Sequence, residues 1–214
     1  MIHRPHLRRW ASSRDGSYAV ELSAEAFLYE CLPYALVRGT PEVDNAAFVI
    51  VNVEGADSTS VFAIADAFRR ECSTSRLSLA ASATALQKLV DLNIDLDRIS
   101  LMLDQVDVAT PLSEIIRDRI DSIRFCPDFV AQAASHIRIG FVLESMLALS
   151  RDLGACSLGP APRSERVGLI DRFAFDYLDC PTLDALAAAA AVDPGYAINP
   201  ETAPINRGWS TSRL

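Results

Sequence analysis

The 214-residue sequence is short of the side chains that many enzyme sites use, with three histidines, five cysteines and a single lysine, Lys88. With only His3, His6 and His136 available, we expect neither a histidine-based triad nor a histidine metal cluster. The cysteines are widely spaced, odd in number and without a C-x-x-C pair, which argues against a disulfide framework and a zinc site. This cysteine usage fits a reducing cytoplasm.

Long apolar runs and basic runs are also missing. No stretch approaches the roughly 18 to 20 apolar residues that a membrane span needs, and no apolar segment of a signal peptide follows the positively charged start, MIHRPHLRRW. The formal net charge of −8 argues against a protein that binds nucleic-acid phosphates. Gly-rich phosphate loops, G-x-S-x-G and H-E-x-x-H are absent from the sequence. We therefore expect a cytoplasmic protein without a membrane span, a cofactor or a nucleic-acid partner.

The sequence does contain a regular alternation of short β-branched runs with longer helical patterns. With 50% hydrophobic residues the chain can bury a sizeable core, and the alternation predicts βα units. Seven strands with mostly short connections favour a (β/α) barrel of TIM type, with an incomplete or truncated N-terminal side as an alternative. The predicted strands are YAVEL, FVIVNV, RLSLAA, ISLML, SIRFC, ACSL and FDYL. We assign residues 1–16 to a flexible N-terminal arm, 17–192 to the barrel and 193–214 to a C-terminal tail.

In such a barrel the chemistry belongs at the C-terminal ends of the strands. The residues at these ends are Asn52, Ala80 to Ala83, Asp104, Gln105, Cys126, Leu158, Asp179 and Cys180. Only Asn52 and Asp104 suit a metal ion, and a hard divalent cation generally needs more carboxylates than this pair supplies. The sequence therefore predicts no bound metal.

Six segments, in order, resemble the EAL domains, (β/α) barrels that hydrolyse the bacterial second messenger cyclic di-GMP with two metal ions. FVIVNVEGAD resembles the V-N-L-S strand of that family, and LSLAASATAL resembles L-x-L-E-I-T-E-x-x-L. LNIDLDRISLMLDQVD resembles L-G-V-x-I-A-L-D-D-F-G, and IRDRIDSIRFCPDFV resembles L-P-V-D-x-L-K-I-D-x-S-F-V. MLALSRDLGACSLGPAPRSE and FAFDYLDCPTL follow the A-E-G-V-E and G-C-D-x-x-Q-G segments. The resemblance covers about residues 48 to 183.

Most functional positions implied by the resemblance are changed in this chain. The metal-binding asparagine of the family is kept as Asn52, and the first aspartate of its D-D pair is kept as Asp104. The other positions fall on Ala80 and Ala83 for two glutamates, Gln105 for the second aspartate, Arg124 for the lysine, Cys126 for the next aspartate, Leu158 for the A-E-G glutamate and Asp179 for the glutamine. Arg124 keeps the positive charge but cannot act as a tunable amine.

The position of the E-A-L signature itself has two interpretations. YALVRG, residues 34–39, is a candidate remnant with Tyr34 in place of the glutamate. Alternatively, SAEAFLYECLPYALVRG is the helix before the FVIVN strand, and the first part of the family barrel is deleted. Both interpretations expect the glutamate to be absent.

Two-metal hydrolysis requires several carboxylates, so the changed positions predict an EAL-like barrel without phosphodiesterase activity. Three functions follow in order of preference. The first is a protein-interaction regulator in motility, cell-cycle or cyclic di-GMP signalling. The second is a receptor that binds cyclic di-GMP without cutting it, through Asn52, Asp104 and Arg124. The third is an unrelated enzyme that uses Cys126, Asp104 and Arg124.

The same changes predict where a protein partner binds. Ala80 and Ala83, beside Leu158, would make the mouth of the barrel apolar, and exposed apolar surface usually marks a contact. Alternatively, the tail covers the mouth and the partner surface lies on the outer helices, where a homodimer face is also expected by analogy with the family.

Overall fold

The computed structural model describes residues 6–23, 43, 45–71, 75–91, 98–111, 113, 120–160 and 173–180. Within them, eight strands close into a barrel in chain order. The strands are β1 (His6–Ser12), β2 (Tyr18–Ser23), β3 (Phe48–Asn52), β4 (Arg76–Ala81), β5 (Ile99–Val106), β6 (Ile120–Phe125), β7 (Cys156–Gly159) and β8 (Tyr177–Cys180). The described helices are α1 (Ser58–Glu71), α2 (Ala83–Asp91), α3 (Pro127–Ser135) and α4 (Ile137–Asp152). Among the described residues, none of the helices is both long and apolar enough to cross a lipid bilayer.

The (β/α) barrel predicted from the sequence is confirmed, and all seven predicted strands are present as β2 to β8. The strands form a complete barrel, because β1 supplies the eighth and closes the sheet between β2 and β8. The predicted flexible arm, residues 1–16, is correspondingly wrong over residues 6–12. The tail at 193–214 and the YALVRG segment lie outside the described residues.

β1 differs from the other strands in direction, because it runs antiparallel to both of its neighbours. It joins β2 through a tight turn in which Gly16 has a φ of +72°, a conformation that glycine adopts without strain. The Asp15 carboxylate accepts a hydrogen bond from the Ser17 backbone N–H at 3.0 Å. All remaining strand pairs are parallel, so their C-terminal ends meet at one end of the barrel, called the mouth below.

Alternating side chains divide the core into two parts, since successive strand residues point to opposite faces. The larger part lies between the strands and the helices and includes Val49, Leu79 and Phe129. The smaller part fills the inside of the barrel and is called the inner apolar layer; it comprises Trp10, Ala19, Ile50, Ala80, Met102 and Leu158. The barrel is therefore a packed core rather than a pore.

The helical segment after β6 is interrupted. His136 takes an extended conformation with a φ of −126° between α3 and α4. Gly154 follows the end of α4 with a φ of +74°, and its N–H donates to the Arg151 carbonyl at 3.0 Å, as in a glycine C-cap.

Candidate functional site

The mouth of the barrel contains a buried ion cluster formed by Glu21, Asp104 and Arg124. The Arg124 guanidinium donates two hydrogen bonds to the Asp104 carboxylate, from Nε to Oδ1 at 2.6 Å and from Nη2 to Oδ2 at 2.5 Å. Its third nitrogen, Nη1, donates to Glu21 Oε1 at 2.6 Å. All three side chains are at most 8% exposed, so one guanidinium joins strands β2, β5 and β6 in a medium where charges interact strongly.

Burial and its charged partners act on Arg124 in opposite directions. Desolvation alone would lower the pKa of Arg124, but the hydrogen bonds and charges of Asp104 and Glu21 outweigh it and raise this pKa above its ordinary value. The guanidinium therefore remains protonated at every pH at which the protein is folded.

The third member of the cluster, Glu21, was not predicted as a site residue. It lies on β2, which pairs with β3 from Ala19 and Phe48 onwards, and its carboxylate points into the mouth beside Arg124. The indole Nε1 of Trp10 donates to Glu21 Oε2 at 3.3 Å.

Asp104 is positioned by an irregularity in β5. The β5–β6 register shifts between Leu103 and Val106, and Gln105 takes a φ of +57° within that shift. The Gln105 N–H donates to Asp104 Oδ1 at 2.7 Å, while the Asn52 amide donates from Nδ2 to Asp104 Oδ2 at 3.2 Å. This bulge aims Asp104 at Arg124 and leaves Gln105 exposed.

A second arginine lies on the solvent side of the cluster. Arg8, on β1, donates from Nε to Asp179 Oδ1 at 2.9 Å and from Nη2 to Asp179 Oδ2 at 2.5 Å. Its side chain is 44% exposed, and its Nη1 lies 3.8 Å from Glu21 Oε2. The guanidinium carbons of Arg8 and Arg124 lie 5.0 and 5.7 Å from the centroid of the Trp10 ring. Trp10 therefore makes cation–π contacts with both arginines of the mouth.

The predicted apolar partner surface at the mouth is wrong. Ala80 and Leu158 are 0% exposed, because their positions on β4 and β7 point inward into the inner apolar layer beneath the ion cluster. Ala83 is half-buried at the start of α2 and packs against the main core. Ser82, beside it, donates to Glu54 from its backbone N–H at 2.7 Å and from its hydroxyl at 3.1 Å.

The structure brings together the three residues predicted as a residual binding site, Asn52, Asp104 and Arg124, but it bonds them to one another. Asn52 Nδ2 faces Asp104, and Asn52 Oδ1 accepts the Glu54 backbone N–H at 2.9 Å. Cys126, the candidate nucleophile of the third hypothesis, is half-buried at the start of α3 and makes no side-chain capping hydrogen bond there. The polar side chains of the mouth are thus bonded to one another rather than left open for a ligand.

The two metal ions implied by the EAL resemblance do not fit these residues. Ala80 and Leu158 supply no ligand atom, and the Arg124 guanidinium already lies between the two carboxylates of the cluster. Within the described residues, no group of three histidine, cysteine or acidic side chains is arranged to hold a metal ion. A third carboxylate, Asp179, is paired with Arg8 instead.

Three site residues were missed from the sequence, namely Arg8, Trp10 and Glu21. Their signal is alternation, because Arg8 and Trp10 are two positions apart on β1 and Glu21 lies two positions after Ala19 on β2. A polar residue two positions from an inward-pointing apolar residue, near the mouth end of a strand, is predicted to line the mouth.

Comparison with solved structures identifies the fold. The chain is similar to the EAL enzyme Bd1971 in its cGMP-bound form, with a TM-score of 0.60 and 10% identity over 81% of this chain and 59% of that one. It is also similar to the EAL domain of Mycobacterium smegmatis DcpA, with a TM-score of 0.59 and 16% identity over 90% and 98% of the two chains. A third similar structure is the FimX EAL domain from Pseudomonas aeruginosa bound to c-di-GMP, with a TM-score of 0.59 and 14% identity over 82% of this chain and 87% of that one.

The chain spans 59% of the length of Bd1971 but nearly all of the DcpA domain. No family model matches the sequence. No curated protein matches it either.

Proposed function

Since the fold of the chain is that of EAL domains, we propose that it is a catalytically inactive EAL-type domain that regulates bacterial signalling by binding a protein partner. The pathways that we propose are those of motility, the cell cycle or cyclic di-GMP, in the bacterial cytoplasm. One observation carries the inactivity: the Arg124 guanidinium occupies the space between the Glu21 and Asp104 carboxylates.

The chemistry of two-metal hydrolysis supports the proposed inactivity. Two-metal cleavage of a phosphodiester needs cations that lower the pKa of a bound water and stabilise the attacked phosphate. A guanidinium stabilises a phosphate but binds no water as an activated hydroxide. Alanine at position 80 and leucine at position 158 remove further ligands from the mouth.

The direct test is incubation of the purified protein with cyclic di-GMP and millimolar Mg²⁺ or Mn²⁺. We expect no linear dinucleotide above the level formed in buffer, as followed by liquid chromatography. Product that accumulates in proportion to protein concentration, and that Asp104→Asn abolishes, would overturn the inactivity.

The proposed partner surface lies on the outer helices, because the mouth is ionic. On α4, Ile137 and Phe141 are 67% and 59% exposed, and they lie on neighbouring turns of one helix face because they are four residues apart. Val142, the next residue, is 37% exposed. We call these three residues the α4 apolar patch. Exposed apolar surface of this kind supports a protein contact.

A pull-down from bacterial cytoplasm, with and without cyclic di-GMP, tests this surface. Phe141→Glu should lose the captured protein, whereas the matched control Phe62→Glu, a 45% exposed phenylalanine on α1, should retain it. Light scattering on the same variants distinguishes a second copy of the chain from a different protein. Equal capture by both variants would reject the α4 apolar patch.

A non-hydrolysing receptor for cyclic di-GMP is the second candidate, favoured by the exposed Arg8 at the mouth and by the c-di-GMP bound to the similar FimX domain. All three nitrogens of the Arg124 guanidinium are engaged with Glu21 and Asp104, so Arg8 is the better contact for a ligand phosphate. Isothermal titration should then show binding that Arg8→Met weakens. Absence of binding at millimolar ligand would reject this candidate.

A further inference from the structure

A cleft separates the turn after β3 from helix α2, outside the ion cluster of the mouth; we call it the β3–α2 cleft. One wall is the turn from Val53 to Ala56, closed by a hydrogen bond from the Ala56 N–H to the Val53 carbonyl at 3.0 Å. The other wall is α2. Its volume of about 420 Å³ lies within the range of sites for small molecules. Since its lining includes no residue of the ion cluster or of the α4 apolar patch, the β3–α2 cleft is a separate candidate site.

Two side chains of opposite charge line the β3–α2 cleft, Glu54 on the turn and Lys88 on α2. The Glu54 carboxylate is held in place, because it accepts the Ser82 backbone N–H at 2.7 Å and the Ser82 hydroxyl at 3.1 Å. Lys88 is exposed, and within the described residues its ammonium group forms no ion pair or hydrogen bond. The cleft therefore offers a ligand one fixed carboxylate and one available cation.

The spacing of the two charges limits the length of a ligand that contacts both. Lys88 lies six positions after Ser82, which is about 9 Å along a helix at 1.5 Å per residue. Side chains on a helix lean toward its N-terminus, so the Lys88 side chain extends toward the end of the cleft at which Ser82 holds Glu54. An extended dipeptide spans about 7 Å. Its two charged ends can therefore contact Glu54 and Lys88 at the same time.

The charges also limit the chemistry of the ligand. A simple anion would be attracted by Lys88 but repelled by Glu54, and a simple cation would meet the opposite conflict. A molecule that carries both charges avoids either conflict. The lining between these groups includes apolar side chains, since Val53 and Leu89 are buried and Ala85 is half-buried. Apolar side chains of a ligand would gain free energy by covering such surface.

From these observations we propose that the β3–α2 cleft binds a small zwitterion with apolar side chains, of the class of a dipeptide. Its ammonium group would bond to the Glu54 carboxylate and its carboxylate to Lys88. The hydroxyls of Ser58 and Thr84, which also line the cleft, can donate to or accept from its peptide group. The inference goes beyond the proposed function and does not rest on it.

The test uses the fact that Lys88 is the only lysine of the chain. Protein labelled with ¹³C-lysine gives the side-chain signals of Lys88 alone, and titration with the dipeptide leucyl-alanine should shift them saturably, with a dissociation constant of about 1 mM or tighter. N-acetyl-leucyl-alanine lacks the ammonium group, and leucyl-alanine amide lacks the carboxylate. Each should bind about tenfold more weakly, because a charge-assisted hydrogen bond is lost.

Isothermal titration of two variants assigns the two contacts. Lys88→Met should bind leucyl-alanine about tenfold more weakly than wild type does. Glu54→Gln keeps an acceptor for Ser82 but loses the charge, so it should bind leucyl-alanine and its N-acetyl derivative equally well. The matched control is Arg70→Met, which removes an exposed arginine that pairs with Asp66 on α1, outside the cleft. This control should bind leucyl-alanine as wild type does.

Three results would overturn the inference. The first is an unchanged Lys88 signal at about 10 mM leucyl-alanine. The second is equal binding of the dipeptide and its two blocked derivatives by wild type, because the two charges would then take no part. The third is displacement of leucyl-alanine by cyclic di-GMP, because the cleft would then belong to a nucleotide site at the mouth.

Discussion

Arg124 Nη1 lies 2.6 Å from Glu21 Oε1, although the two residues are 103 positions apart in the sequence. The contact crosses the barrel from β6 to β2, two strands that are not neighbours in the sheet. With the two bonds to Asp104 on β5, Arg124 links three strands at the mouth independently of the backbone ladder. Arg124 therefore stabilises the mouth in addition to the backbone hydrogen bonds of the sheet.

Arg124→Met should be strongly destabilising. Removing one partner of a buried ion cluster leaves uncompensated charge and costs about 3 to 5 kcal/mol. Urea denaturation should show a lower midpoint with an unchanged slope. The matched control is Arg8→Met, in which the same substitution removes a 44% exposed arginine paired with Asp179; it should cost about 1 kcal/mol or less. If both variants lost the same free energy of unfolding, Arg124 would not contribute more to stability than Arg8.

Ala80→Glu should not restore a ligand but should destabilise the fold. Ala80 is 0% exposed among Trp10, Ile50, Met102 and Leu158, where a carboxylate has no partner, and we expect a loss of about 4 kcal/mol or more. Ala83→Glu is the control, since Ala83 is half-buried in the first turn of α2, where an acidic side chain interacts favourably with the helix N-terminus. Thermal unfolding of both variants checks the difference, and a stable Ala80→Glu protein would argue against the packed inner apolar layer.

Gly159→Ala should destabilise the β7–β8 side of the barrel. A Cβ at this position would lie 2.6 Å from Cδ2 of Phe175, which is too close for two non-bonded carbon atoms. The overpacking should cost about 1 to 3 kcal/mol, measured by urea denaturation. Adding Phe175→Ala to Gly159→Ala should cost less than the sum of the two single changes, because the smaller side chain relieves the clash. Strict additivity would mean that the two positions do not conflict.

Asp57 should make a pH-dependent contribution at the N-terminus of α1. Its carboxylate accepts the Ser60 backbone N–H at 2.7 Å, and this hydrogen bond lowers the pKa of Asp57 below its ordinary value of 3.8. A lowered pKa stabilises the fold at pH above the unfolded value, and the contribution disappears as the pH falls through the folded value.

The urea midpoint of Asp57→Ala should therefore lie below that of wild type at pH 7 and approach it below about pH 4. The control is Asp66→Ala on the same helix, where Asp66 forms an exposed pair with Arg70. This substitution removes a negative charge but keeps the hydrogen bond of Asp57 at the helix N-terminus. If the urea midpoints of wild type and Asp57→Ala differed by the same amount from pH 7 to pH 3, the stabilisation would not come from the ionised Asp57 carboxylate.

Much of the fold was predictable because most strands have apolar residues on both faces. The side chains of FVIVN and RLSLAA alternate between the inside of the barrel and the helices, so both segments are almost continuously apolar in sequence. Their short length, and the helical patterns that follow them, indicate strands. β1 was missed for the opposite reason. Its inward face carries Arg8 beside Trp10, and a charged residue that lines an ionic interior has the same appearance in sequence as one in solvent.

The candidate site was predicted in part. Asn52, Asp104 and Arg124 were correctly placed at the strand ends, because the strands themselves were correctly placed. What the sequence could not show is that Arg124 bonds Asp104 and Glu21, since that depends on the reach of one side chain across the barrel. Ala80 and Leu158 were expected at the surface because strand ends were treated as exposed, whereas both lie one layer below the ion cluster.

The antiparallel seam between β1 and β8 determines when the protein can finish folding during its synthesis. Arg8 and Asp179 are 171 residues apart, so at about 5 to 20 residues per second roughly 10 to 30 s pass before the ribosome makes the strand that covers β1. During that time the β1–β2 hairpin presents one unpaired edge, which is a template for pairing with other chains. Arg8 and Arg9, adjacent on that edge strand, supply the charge that discourages such pairing. The arginine that pairs with Asp179 in the folded barrel is therefore one of two charges on the edge strand until Asp179 has been synthesised.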